Sequence, residues 1–336
     1  MPNNSYIIDI ETHLPPFVLT NDDLAKDFPD WPAAKILAKT GIKERRIVTD
    51  ECASDLAVAA AEKLLTKYDR NKIGFLLFCT QCPDYPLPTS ACIIQNRLKL
   101  QTTCGALDFN LGCSGFVYGL GIAKAIVESG QAENVLLLNS DTYSKFINPK
   151  DKSVRTLFGD AGTATLVSSN PGMGQLVGPF VYGTDGKGKD NLIVKTRGAR
   201  MEYLTDAPIE SDTSGNARTV NDLYMNGAEI FSFTAISVPQ LIQQTLKKAN
   251  LTMDDINLFV FHQANLFILK HLQKLLSISD ERFMVELENT GNTVSCTIPI
   301  ALKSAVEKGR LKSGDNVMLV GFGVGYSWGA TVVKWS

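Results

Sequence analysis

The 336-residue chain carries 33 Lys and Arg against 35 Asp and Glu, and 44% of its residues are hydrophobic and 20% charged. That composition excludes intrinsic disorder and fibrous architecture, and a balanced charge without long runs of either sign excludes the usual footprint of a nucleic-acid binder. No stretch approaches 18 uninterrupted apolar residues, so no membrane insertion is expected and a cytosolic, cytoplasmic protein is the reading.

In chain order, the apolar spacing predicts a helix over Ser54–Tyr68, a buried strand over Ile73–Phe78 and a helix over Thr89–Leu98. An extended segment from Leu107 then turns through Gly112 into a helix over Gly115–Glu128. Strands over Val135–Leu138 and Thr163–Val167 follow, and then a long connection, 183–221, rich in Gly, Asp, Thr and Ser, which could cover a site. The second half repeats the alternation. Helices are predicted over Ile230–Ala249, Leu266–Leu276 and Ile298–Glu307, and strands over Leu258–Phe261, Val317–Val320 and Ala330–Val333. Alternation of this kind predicts layered α/β architecture with buried sheets.

The two halves look like copies of one plan. Ile73–Phe78 corresponds to Ile256–Phe261, and the strand opening at Asn134 corresponds to that opening at Asn316, each preceded by a helix ending in Glu-Ser-Gly or Glu-Lys-Gly. Ile73 and Asn134 are 61 residues apart, Ile256 and Asn316 are 60 apart. A duplicated αβαβα fold with two pseudo-twofold-related halves, residues 1–172 and 173–336, is expected. Loops of both halves then converge at the carboxyl ends of their strands, where open α/β sheets place ligands.

Cys113 lies at the predicted start of a helix, where unpaired amides and the positive helix end favour a thiolate; a buried small hydrophobe is the ordinary role of such a Cys. His262 ends an apolar strand facing the predicted cleft, with a structural imidazole as the plain alternative. Asn292 sits in a polar, Gly-containing turn before a helix, where it could cap the helix or donate beside the imidazole. Gly321–Gly329 holds four glycines in nine residues and runs into a strand, not a helix, which favours an amide aimed at an oxyanion over a phosphate loop. The seven cysteines are odd in number and scattered through apolar segments, which suits reduced thiols; Cys79 and Cys82 lack a second pair to complete a metal site.

Taken together, Thr40-Gly-Ile-Lys-Glu-Arg-Arg-Ile47, Gly112-Cys-Ser-Gly115, Phe158-Gly-Asp-Ala-Gly162, Met225-Asn-Gly227, His262-Gln-Ala-Asn265, Gly291-Asn-Thr293 and the closing glycine loop make the chain resemble the thiolase superfamily, within it the ketoacyl-acyl-carrier-protein synthase III group. The resemblance implies an acyltransferase-class condensing enzyme. Cys113 would carry the acyl group as a thioester, the amides of Cys113 and Val324 would form the oxyanion hole, and His262 and Asn292 would stabilise the enolate left when a malonyl-type thioester loses carbon dioxide. It further implies substrate contacts at Lys39, Lys152, Leu87, Asn265 and Phe267, with Leu87 reaching the partner's acyl tunnel in a homodimer. Substrates would be acyl-coenzyme A or acyl-carrier-protein thioesters, with no further cofactor and no metal. Lys35 stands where the group commonly stacks an aromatic on the coenzyme's adenine, and Phe267 and Ser232 stand where the fatty-acid enzyme presents basic residues to its carrier. These departures suggest a specialised lipid, polyketide or surface-polysaccharide pathway. An acyltransferase acting on an alcohol or amine, and a noncatalytic partner of a ketosynthase, are the alternatives.

Overall fold

The structure, a computed structural model, describes residues 4–169 and 176–336. The expected division between residues 172 and 173 lies outside the described residues. The first sheet is built from β1 (Ser5–His13), β2 (Phe75–Cys79), β3 (Gly105–Phe109), β4 (Asn134–Asp141) and β5 (Ala161–Ser169). Helices α1 (Ala53–Leu65), α2 (Ser90–Arg97) and α3 (Gly115–Glu128) belong with it. The second sheet holds β6 (Val177–Thr184), β7 (Leu258–Phe261), β8 (Asn316–Gly323) and β9 (Ser327–Lys334), accompanied by α4 (Gly227–Ala249), α5 (Leu266–Leu275) and α6 (Thr297–Glu307).

Sheet order is β1-β5-β4-β2-β3 in the first half and β7-β8-β9-β6 in the second. In each half a parallel pair leads to two antiparallel ones: β2 runs parallel to β4 and β7 to β8, while β4 pairs antiparallel with β5 as β8 does with β9. Even the fifth strand of the first sheet has a vestige in the second, a parallel bridge of Phe283 to Phe259. The duplication read from matched spacing is therefore present as matched topology.

Helices α3 and α6 form the middle layer between the sheets. Phe116, Val117, Leu120 and Ala123 of α3 share one core with Leu77 and Leu137 of the first sheet, Val260 and Leu319 of the second, and Ile298 and Leu302 of α6. A helix enclosed this way is apolar nearly all round and needs small residues where strands approach: a methyl group at Gly119 would lie 2.7 Å from Leu137. Burial of each large apolar side chain here contributes roughly 2 kcal/mol, so the middle layer joins the halves and fixes the strand ends carrying the site.

Two strands of the main sheets are absent from the sequence expectations. β1 and β6 are edge strands, and β6 opens with Gly178-Pro179, residues that a central strand excludes but an edge tolerates. β4 and β8 run past their predicted ends through Asn139-Ser-Asp141 and Gly321-Phe-Gly323, because pairing with β5 and β9 supports residues of low strand propensity. No helix among the described residues is long and apolar enough to cross a membrane.

The Phe158–Gly162 motif is explained by close packing of backbone. A methyl group at Gly162 would lie 2.3 Å from the carbonyl of Leu56 in α1, and one at Gly159 would lie 2.2 Å from the carbonyl oxygen of Thr290. Gly162→Ala is expected to cost about 3 kcal/mol of stability by forcing α1 off β5, readable as a lower denaturant midpoint with an unchanged slope. The Thr40–Ile47 motif is also structural. Arg45 is fully buried without a carboxylate, donating to the Thr156 carbonyl and to Asn21 Oδ1 at 2.6 Å.

Candidate active site

The chain leaves β3, turns at Gly112 and enters α3, with Cys113 only 4% exposed. Glycines crowd this turn because other backbones pass against it. A methyl group at Gly323 would sit 2.8 Å from Cys113 Sγ, and one at Gly321 would sit 2.8 Å from Ser114 Cα. The closing glycine loop is thus shaped around the nucleophile's segment, and a 2.6 Å hydrogen bond between the Ser114 and Ser327 hydroxyls fastens the two. The amides of Val324 and of Cys113 itself face the sulfur.

Those amides do not produce a resting thiolate. Burial outweighs them and pushes the Cys113 thiol up to about 12, with the carboxyl of Asp141 adding to the rise. The sequence expectation of a dipole-stabilised thiolate is corrected here: the helix end is real, but desolvation of the anion is the larger effect. Because the thiolate fraction grows tenfold per pH unit below the pKa, iodoacetamide should alkylate Cys113 about tenfold faster per unit between roughly pH 6 and 10, without a plateau. A plateau near neutrality would show a stabilised thiolate.

His262 ends β7, where its amide donates to the Val320 carbonyl at 2.8 Å and ties it to β8. Its imidazole is buried and meets Phe322 edge-on, with ring centroids 5.6 Å apart. Burial drives it down to about 3, so it is neutral near pH 7. Nδ1 lies 2.7 Å from Thr297 Oγ1, and that hydroxyl is 3.1 Å from the Val294 carbonyl oxygen.

Asn292 does not cap the helix. Its Oδ1 accepts from the Val294 amide at 2.9 Å and its Nδ2 donates to the Ala264 carbonyl at 3.3 Å. Its backbone is clamped by the first half: the Asn292 amide donates to Leu157 O at 2.9 Å, and Gly159 N donates to Asn292 O at 3.1 Å. Val294, with φ of 55°, is a β-branched residue in the left-handed region, a conformation held only by surrounding contacts. Its side chain reaches within 3.3 Å of where a Gly112 methyl would be. Within residues 292–297, Val294 therefore borders the Gly112 turn of the first half while Thr297 holds the His262 imidazole of the second.

Asp141, Gln81 and Tyr143 were not singled out in the sequence. Asp141 is buried and raised to about 7 by desolvation, accepting from the Gln81 amide at 2.8 Å and from Ser295 Oγ at 2.6 Å, which links the halves beside the site. Tyr143 is buried and donates to Gln81 Oε1 at 2.5 Å. No spacing signal marks these residues; only their place past strand ends does.

The implied substrate contacts fare unevenly. Lys39 is exposed. Lys152 is buried and pairs with the exposed Asp30 at 2.7 Å. Lys35 lies over the Trp31 ring at 5.3 Å, placing an aromatic one turn before the expected position. Asn265 caps α5, its Oδ1 accepting from the Ile268 amide at 2.9 Å. Leu87 is 85% exposed, and Phe267, 63% exposed, packs against Phe231 at 5.2 Å between centroids. Cys79 and Cys82 are buried separately, the first donating to the Leu111 carbonyl and the second accepting from the Thr142 amide.

Comparison with known proteins gives this geometry a family. Residues 107–186 match the model for 3-oxoacyl-[acyl-carrier-protein] synthase III, and residues 246–335 match that for its C-terminal part. The beta-ketoacyl-[acyl-carrier-protein] synthases III of Clostridium tetani and Clostridioides difficile are each 38% identical, over 98% and 100% of both chains respectively. A crystal structure of a 3-oxoacyl-(acyl-carrier-protein) synthase III superposes with a TM-score of 0.97 at 51% identity over 99% of this chain and 100% of that one. The Burkholderia xenovorans synthase gives 0.91 at 35% identity over 100% of this chain and 95% of that one. With its duplicated thiolase-like fold and these relatives, the chain belongs to the 3-oxoacyl-[acyl-carrier-protein] synthase III family of condensing enzymes.

Proposed function

We propose that the protein acylates Cys113 from an acyl thioester and condenses that acyl group with a malonyl-type thioester to give a β-ketoacyl thioester. The observation that carries this reading is the pair of neutral groups, a buried imidazole bonded to Thr297 and a carboxamide bonded to the Val294 amide, in a segment whose Val294 side chain borders the Gly112 turn that leads to Cys113. In the first step the sulfur attacks the acyl carbonyl, the amides of Cys113 and Val324 take the oxyanion, and the Cys113 proton leaves with the departing thiol. In the second, loss of carbon dioxide from the malonyl group leaves an enolate, which His262 and Asn292 stabilise until its carbon attacks the acyl-cysteine carbonyl; the carbonyl–sulfur bond breaks and the Cys113 thiolate so released takes a proton from water. Neutral donors suit an enolate, since a buried carboxylate there would repel it.

The donor role requires the Nε2–H tautomer of His262. Thr297 has one hydroxyl proton and two acceptors, Nδ1 and the Val294 carbonyl; giving it to Nδ1 leaves the imidazole proton on Nε2. Thr297→Val is expected to slow carbon dioxide release from a malonyl thioester about tenfold while Cys113 acylation proceeds, with Thr297→Ser restoring the rate. Equal slowing of both steps would make Thr297 a structural residue only.

The reading uses coenzyme A or carrier-protein thioesters as substrates and calls for no cofactor. The exposed Leu87 supports a homodimer in which it reaches the partner's acyl tunnel, and the apolar Phe267 beside the implied carrier face supports a specialised carrier. Transfer of the acyl group to an alcohol or amine is the second reading, and intact Cys113, His262 and Asn292 weigh against a noncatalytic partner. Carbon dioxide released from carboxyl-labelled malonyl thioester in step with β-ketoacyl product tests the condensation. Acylation of an alcohol or amine without malonyl thioester would replace it.

A further inference from the structure

A cavity of about 640 Å³ adjoins the Cys113 turn, sharing Val324 and Gln81 with it. Its far wall comes from the 183–221 connection, through Leu192, Thr196 and Arg197. An acyl chain on Cys113 has this space beside it, walled largely by apolar side chains such as Phe146, Leu192, Val194 and Leu223, and polar groups stand at defined places among them. Tyr143, Gln81 and Asn110 form a hydrogen-bonded row along one side, with Gln81 Nε2 donating to Asn110 Oδ1 at 2.8 Å. Among the described residues the buried hydroxyl of Thr196 has no hydrogen-bond partner.

Arg197 is the one charged residue in the described lining, and no carboxylate lines the cavity. Its guanidinium lies over the rings of Phe146 and Tyr203, with centroid distances of 5.3 and 5.1 Å. Arg197 is exposed at the mouth of the cavity; the two rings orient its guanidinium, and among the described residues it has neither an ion pair nor a hydrogen bond, so its donors face water and are open to an incoming anion. Its backbone, at φ of 71°, is in the left-handed region, which a non-glycine residue adopts only where surrounding structure holds it. A planar guanidinium held by aromatic faces with its N–H groups unspent matches a carboxylate, which it can bind bidentately.

We propose that the priming acyl group ends in a carboxylate, so that the donor is the monothioester of a short dicarboxylic acid and Arg197 binds its free end. This rests on the acyl-Cys113 reading. In the loading step the donor's carbonyl–sulfur bond breaks, the carbonyl bonds to Cys113 Sγ, and the Cys113 proton goes to the departing coenzyme A thiol. The terminal carboxylate stays ionised and takes no part.

Intact-mass kinetics test this with succinyl-, glutaryl- and adipoyl-coenzyme A against butyryl-, pentanoyl- and hexanoyl-coenzyme A. The expected result is that at least one carboxyacyl donor loads Cys113 about tenfold faster or more than its neutral match, a discrimination typical of a paired charge. Arg197→Gln should reduce that ratio by a similar factor, whereas Arg200→Gln, an exposed change nearby, should not. Neutral donors loading as fast as every carboxyacyl donor, or a ratio indifferent to Arg197→Gln, would overturn this proposal and leave the acyl-cysteine reading standing. Absence of any adduct from all six donors would overturn both.

Discussion

Replacing Cys113 with Ala is expected to lower condensation roughly 10⁶-fold, to background, because the covalent acyl carrier is gone. The same variant should still release carbon dioxide from a malonyl thioester, since the donors for that step lie on His262 and Asn292. The change is small in volume and lies in a turn already packed with glycines, so the fold should persist and the unfolding midpoint should move little. Measuring product formation and carbon dioxide release on one preparation separates the two half-reactions. Loss of both in a folded variant would mean that the sulfur also serves decarboxylation.

Removing either enolate donor should have the opposite signature. His262→Ala and Asn292→Ala are each expected to slow carbon dioxide release by about a hundredfold to a thousandfold, the usual loss of one oxyanion-type donor. Acylation of Cys113 should survive in Asn292→Ala, whose carboxamide hydrogen-bonds to the Val294 amide and the Ala264 carbonyl. Because His262 is neutral near pH 7, the decarboxylation rate should show no inflection near the ordinary histidine value of about 6.5. An inflection there would mean that an imidazolium, not a neutral imidazole, meets the enolate.

Much of this site was legible because its chemistry sits at places sequence patterns mark. Cys113 follows a glycine at a helix start, His262 closes an apolar strand, and the glycine loop follows another, so strand ends in the two repeats point to a shared cleft. The charge states were not legible. Burial raises Cys113 and lowers His262, and burial depends on packing of α3 and α6 between the sheets. The partners were equally hidden: Thr297 reaches His262 across 35 residues, and Ser295 reaches Asp141 across 154. The Lys152–Asp30 pair and the Asn265 cap on the Ile268 amide were hidden in the same way. β6 was missed because an edge strand admits Gly178 and Pro179, and β1 because the bulge between Ile7 and Asp9 breaks its alternation.

The most direct measurement is mass spectrometry of the peptide containing Cys113, taken before and after malonyl thioester is added to the acyl-loaded enzyme. The expected result is a thioester-mass increment on Cys113 that disappears on addition, with one equivalent each of carbon dioxide and β-ketoacyl thioester released. An increment on any other residue, or discharge by an amine or alcohol with no need for malonyl thioester, would contradict it.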